Sequence, residues 1–159
     1  MLTAACFEHQ SIIGKNAERM TNFEDELISS CAAAVNQVLA WVVLPNHYHV
    51  LVQSDDVRLV LAAMGRLHGR TAFLWNGEDD LRGRQVWFRC VETLMKSENH
   101  FWATMNYIHH NPVKHGYAGK WMDWPYSSAS EYLETIGQEE AAALWKMYPI
   151  KEYGRGWDE

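Results

Sequence analysis

The chain has 159 residues, 48% of them apolar, and a formal net charge of −6. That length suits one domain with a single core, no window approaches the roughly 20 consecutive apolar residues that cross a bilayer, and the N-terminus lacks the basic-then-apolar pattern of an export signal. Bulk acidity excludes a chain that coats itself in nucleic acid by charge alone. Cys6, Cys31 and Cys90, an odd set with no CxxC spacing, exclude a disulfide framework or zinc knuckle and suit a reducing cytoplasm.

The charge is uneven. Residues 1 to 56 hold seven acids against Lys15 and Arg19, and residues 134 to 159 hold six acids against three bases. The middle, 57 to 133, reverses the balance with nine bases against seven acids. An anionic partner would meet the middle, where Arg58, Arg66, Arg70, Arg82, Arg84 and Lys96 cluster and Lys114 follows.

Leu2 to Ile13 is apolar enough for a first strand. Thr21 or Asn22 caps a helix with an acidic first turn, continued through Leu27, Ile28, Cys31 and Val35. Val38 to Leu44 and Tyr48 to Gln53 are β-rich runs separated by Pro45-Asn46, which reads as a hairpin. Val57 to Leu74 repeats apolar residues at helical spacing and sets Arg58, Arg66 and Arg70 on one stripe. Asn76 to Arg84 is a polar loop and Gln85 to Val91 a strand. Ser97 caps a third helix, expected to end near Asn111 because Pro112 follows. The aromatic loop beyond it is expected to pack back through Trp121 and Trp124, before a short Ala-rich helical stretch and a Gly-containing tail. This order is that of a ferredoxin-like split βαβ unit with an added helix. The fold expected is therefore α+β, an antiparallel sheet with helices on one face. Residues 1–135 would form the single domain and 136–159 an extension that packs on it or stays mobile.

The run VVLPNHYHVLVQ plants His47 and His49 in an apolar strand. Residues i and i+2 of a strand share a face, so the two imidazoles can hold one divalent ion from one side. Taken alone, the pair is equally compatible with ordinary strand histidines. On the third helix Phe101, Met105 and Ile108 form the core stripe, and His100, Thr104, Tyr107 and Asn111 a neighbouring polar one. If that helix packs beside the hairpin, a metal held by His47, His49 and Asn111 would lie next to the Tyr107 hydroxyl. Such a set suits phosphoryl transfer to tyrosine with Mg²⁺ or Mn²⁺. By spacing, His9, His109, His110 and His115 are bystanders and His68 a candidate phosphate contact.

LPNHYHVLV resembles the histidine-hydrophobic-histidine segment of single-tyrosine HUH transposases, and NYIHHNPVKHGY followed by WPYSSASEY resembles the tyrosine helix and downstream segment of the REP-associated tyrosine transposases. The resemblance spans about Val38 to Tyr132. It implies a ferredoxin-like HUH nuclease domain acting on single-stranded DNA beside palindromic hairpins, in the bacterial cytoplasm at the nucleoid. It implies His47, His49 and Asn111 as metal ligands and Tyr107 as the nucleophile that takes a 5′-phosphate and releases a 3′-OH. A monomer is expected, a homodimer being the alternative. The middle HUH position is Tyr48, expected to face away from the metal. Two other readings compete: a host-retained protein that binds hairpin DNA weakly or without cutting, and a small-molecule hydrolase, which lacks the carboxylate pair it would want.

Overall fold

Alternation along the second hairpin strand builds two cores. The computed structural model describes residues 1–150 and 153–154. It orders β1 (Leu2–Ala5), α1 (Ala17–Ala32), β2 (Gln37–Val43), β3 (His47–Gln53), α2 (Val57–Glu78), β4 (Val91–Glu92), α3 (Glu98–Lys114), α4 (Ala129–Ile136) and α5 (Gln138–Met147). The strands lie in the order β2-β3-β1-β4, every neighbouring pair antiparallel, which is the order of a split βαβ unit.

Tyr48 and Val50 face one side of β3 and join Leu2, Ala4 and Val43 under α1 and α2. From α1 come Met20, Phe23, Leu27 and Cys31, and from α2 Val60, Met64 and Leu67, each set at helical spacing. Leu51 faces the other side with Ala40, Val42 and Leu44, where Met105, Tyr107 and Ile108 of α3 cover them. The antiparallel α+β architecture is as expected. The correction concerns the faces: α1 and α2 share one, and α3 occupies the opposite one.

Side chains cap the three long helices. Asn16 accepts from the Arg19 amide, Asp56 from that of Arg58 and Ser97 from that of His100. The first cap stands five residues before the expected Thr21, because Asn16 already satisfies the first turn. The expected first strand is cut to four residues, since 3₁₀ turns at Phe7–His9 and Ile13–Lys15 follow it. In place of the strand expected over Gln85 to Val91 there is a two-residue strand at Val91–Glu92, with an isolated bridge at Cys6 and Trp87. Pro112 does not stop α3, which runs on to Lys114. Pro112 lacks the N–H that would reach the Ile108 carbonyl, and its own carbonyl accepts from the amide of Tyr117 beyond the helix.

Trp124 donates its indole N–H to the Val43 carbonyl at 2.9 Å, and Trp121 stacks on His109, as the loop reading expected. Residues 126 to 128 lie along the outer edge of β2, where the Trp41 amide donates to Ser128 Oγ at 2.9 Å. This covers an otherwise open sheet edge. Past α4, Asn106 of α3 donates to the Tyr148 carbonyl at 2.9 Å, joining α5 to α3. The rest of the expected tail lies outside the described residues. No described helix is long and apolar enough to cross a membrane.

Candidate active site

The sheet face under α3 carries His47 and His49, and α3 lays Tyr107 and Asn111 across it one turn apart. All four are buried, none more than 1% exposed. Asn111 is the hub. Its Oδ1 lies 3.0 Å from His47 Nε2 and its Nδ2 3.4 Å from His49 Nε2. The two imidazole centroids are 5.2 Å apart, and the Tyr107 ring stands edge-on to His49 at 5.1 Å.

The far nitrogens are engaged as well. Thr3, directly opposite His49 in the β1–β3 register, brings its hydroxyl within 2.7 Å of His49 Nδ1. Asn46 in the hairpin turn places Oδ1 2.8 Å from His47 Nδ1. His47 therefore meets an amide oxygen at each nitrogen. A neutral imidazole that donates from Nδ1 to Asn46 Oδ1 has Nε2 as the nitrogen that could ligate an ion shared with Asn111 Oδ1.

That donor set fits a small divalent ion. A separation of 3.0 Å between Nε2 and Oδ1 is about that of adjacent donors around an ion bound at roughly 2.1 Å. Among the described residues no cluster of three His, Cys, Asp or Glu side chains forms, and the candidate third donor there is the Asn111 amide oxygen. Two imidazoles with one amide oxygen suit Mn²⁺ or Mg²⁺ better than zinc in a closed thiolate site.

Three neighbours were not legible as site residues. His115 stands 5.0 Å from His47. It continues the Tyr107–Asn111 row by one further turn, and an α3 ended at Asn111 hides that spacing. Tyr153 packs edge-on to Tyr107 at 5.6 Å and shares its hydroxyl with Thr104 at 2.5 Å and His100 Nε2 at 2.8 Å. Burial, partly offset by the Thr104 hydrogen bond, raises the Tyr153 phenol above its ordinary value. Gly154 lies against the Tyr107 ring so closely that any side chain there would collide with it.

The basic residues disperse. Lys114 holds its ammonium 5.1 Å from the Tyr107 ring centroid and donates to the Gly154 carbonyl at 3.3 Å. Lys96 is exposed just before α3. Arg58, Arg66 and Arg70 lie on α2, across the sheet from Tyr107. Arg58 pairs with Asp56 at 2.9 Å and Arg70 with Glu26 at 2.9 Å, while Arg66 is exposed and makes no ion pair among the described residues. Arg82 covers Phe73 and donates to its carbonyl at 3.0 Å, and Arg84 pairs with Asp79 at 2.8 Å. The stripe read from spacing is real on α2, but two of its three members are tied to carboxylates. His68 bonds the Tyr48 hydroxyl at 3.0 Å and stacks on Trp87 at 4.3 Å. Burial lowers its pKa to about 4. Tyr48 faces away from Asn111, into the core under α1 and α2.

Paired strand imidazoles beside a helical tyrosine and amide are also what the motifs resembled. A curated protein of Haemophilus influenzae named "Putative REP-associated tyrosine transposase" is 28% identical over 119 residues, which are 69% of this chain and 68% of that protein. The chain is similar to the REP-associated tyrosine transposases. In fold it matches a solved structure described as "Structure of the REP associates tyrosine transposase bound to a REP hairpin", with a TM-score of 0.62 and 20% identity over 84% of this chain and 77% of that one. No family model matches the chain.

Proposed function

We propose that this protein is a metal-dependent single-strand DNA endonuclease and strand transferase acting beside hairpin DNA. One observation carries the reading: His47, His49 and Asn111 converge within hydrogen-bond distance on the face where Tyr107 stands. The Tyr107 phenol oxygen attacks the scissile phosphorus and the P–O3′ bond breaks. The 5′-phosphate becomes a phosphotyrosine ester, and the departing 3′ oxygen takes up a proton to leave as a free 3′-OH. Attack by a 3′-OH on that ester reverses the step and joins strands. His47 and His49 through Nε2, with the Asn111 amide oxygen, would hold Mn²⁺ or Mg²⁺, which when bound draws charge from a phosphate oxygen. Lys114, over the nucleophile's ring, supplies a cation next to the incoming phosphate. Lys96 and Arg66 remain available to strand phosphates elsewhere.

The hairpin partner is inferred from the relative, whose described structure contains a REP hairpin. We place the activity in the cytoplasm at the nucleoid, with a monomer as the working unit and a homodimer as the alternative. A second reading, hairpin binding without cleavage, is favoured by the burial of Tyr107 under Tyr153 and Gly154.

The test is incubation with Mn²⁺ and hairpin oligonucleotides carrying single-stranded flanks, resolved on a denaturing gel. A DNA-shifted protein band that disappears in Tyr107→Phe is the expected result. Hairpin binding with no shifted band in wild type would select the second reading.

A further inference from the structure

We infer that the cavity between α3, the Trp121–Asp123 turn, α4 and α5 is a binding site for an uncharged planar heteroaromatic of nucleobase type, taken up as a free base or nucleoside. The inference stands apart from the cleavage reading above, since no residue of the candidate metal site lines this cavity.

A second row of α3 side chains builds it. Asn106 donates to the Tyr148 carbonyl past α5 at 2.9 Å, and His109 Nε2 lies 2.9 Å from Ser128 Oγ at the start of α4. The space left between these elements measures 540 Å³, inside the range of about 300–1,000 Å³ typical of small-molecule sites. Rings make up most of its walls. His109 stacks on Trp121 at 5.8 Å and lies 4.7 Å from Tyr132, and His110 lies 4.9 Å from Trp145. Such walls select a flat ligand, because aromatic faces and edges pair best with other rings.

Two polar atoms on the lining residues are unpaired. Tyr132 Oη and His110 Nδ1 are both buried, and neither makes a hydrogen bond among the described residues. A buried polar group without a partner is costly, so a ligand that pairs them completes the site. A hydroxyl and an imidazole nitrogen match an edge that sets donors beside acceptors, as a purine or pyrimidine does. Charge narrows the choice. Lys146 is the one charged side chain among the described lining residues. Burial, and after it the neighbouring Glu140 carboxylate, raises the Tyr132 phenol above its ordinary value. A phosphate brought here would therefore meet a carboxylate as well as the ammonium, which favours a base without its phosphate over a nucleotide or a DNA strand.

The test titrates adenosine, guanosine, cytidine and thymidine into the full-length protein and follows the indole N–H resonances by NMR. At least one nucleoside is expected to give a saturable shift with a dissociation constant below about 1 mM. Trp145→Ala, a change at a partly exposed position, should weaken that binding about 5- to 150-fold. Tyr132→Phe, which keeps the ring, should weaken it about two- to tenfold. The corresponding nucleoside 5′-monophosphate should bind no more tightly than the nucleoside. No saturable shift with any of the four, or unchanged affinity in both variants, overturns the proposal. Tighter binding of the monophosphate overturns it in favour of phosphate recognition. Displacement of the nucleoside by a single-stranded oligothymidylate at lower concentration overturns it in favour of an unpaired base of the DNA strand.

Discussion

Gly154 packs on the edge of the Tyr107 ring so tightly that a Cβ at position 154 would stand 2.2 Å from Tyr107 Cε2. Tyr107 is 1% exposed, so a phosphate reaches the candidate nucleophile only where its cover opens. Gly154→Val cannot keep the contact, and its φ of 74° adds strain for any side chain. The variant should lift residues 153 and 154 from α3 and raise the rate of Tyr107 modification by tetranitromethane, followed by peptide mass spectrometry. An unchanged rate would mean that the ring is reached by another path.

Removing one oxygen atom separates chemistry from packing. Tyr107→Phe keeps the ring between His49 and Tyr153, so the melting temperature should move by no more than a few degrees, as for a change of about 1 kcal/mol. Covalent attachment to DNA should vanish while hairpin affinity holds within about twofold. Persistent attachment would move the nucleophile to another residue.

Asn111→Leu keeps comparable bulk at the hub but removes the amide that spans His47 and His49. Manganese affinity should fall at least about tenfold, and EDTA should abolish covalent attachment in wild type. Cleavage that survives both changes would exclude a metal at this site.

Two buried histidines make folding acid-sensitive. Burial lowers His68 and His109 to about 4, against about 6.5 for an unfolded chain. Below pH 6.5 the unfolded state takes up protons that the native state refuses, so stability is complete above that pH and declines down to about pH 4. Each histidine contributes a slope of about 1.4 kcal/mol per pH unit in that window. Urea melts across pH 7 to 4 should show the slope roughly halved in His68→Gln. The same slope in the variant would remove His68 as a cause.

Arg19, 5% exposed, ties α1 to the end of α2 through Asp79 at 2.6 Å and Glu78 at 2.7 Å. Its guanidinium holds the Asp79 carboxyl well below the usual carboxylate range, helped by Lys15 and Arg84. Arg19→Ala should cost about 3 kcal/mol, because the carboxylates stay behind with fewer partners. Chemical denaturation reads this directly, and a loss under about 1 kcal/mol would mean that Lys15 and Arg84 suffice.

Much of this was legible in the residues. Alternation in NHYHVLV put both imidazoles on one face, and the four-residue step from Tyr107 to Asn111 put nucleophile and amide on one helical row. What remained hidden depends on tertiary contact. Which face α3 covers is decided by Ala40, Val42 and Leu51 opposite Met105 and Ile108, and β-branched runs on both faces do not announce it. His115 was hidden by a general rule about proline, which the last turn of α3 escapes. Thr3 and Asn46 carry no motif, because their contacts with His49 and His47 come from strand register and from a turn that the chain makes 37 residues earlier at His9. The arginine stripe was found correctly as a pattern, but its carboxylate partners Asp56 and Glu26 come from the helix cap and from α1.

In β3 the two faces carry different cargo: Tyr48 and Val50 complete one core while His47 and His49 serve the other side. Sliding this strand by one residue would send both imidazoles under α1 and α2 and offer Asn111 a phenol and a valine. The pairing frame of seven residues, set by the Pro45-Asn46 turn and by the partners of β1 and β2, is thus a single setting that fixes both how the two cores fill and which side chains Asn111 meets.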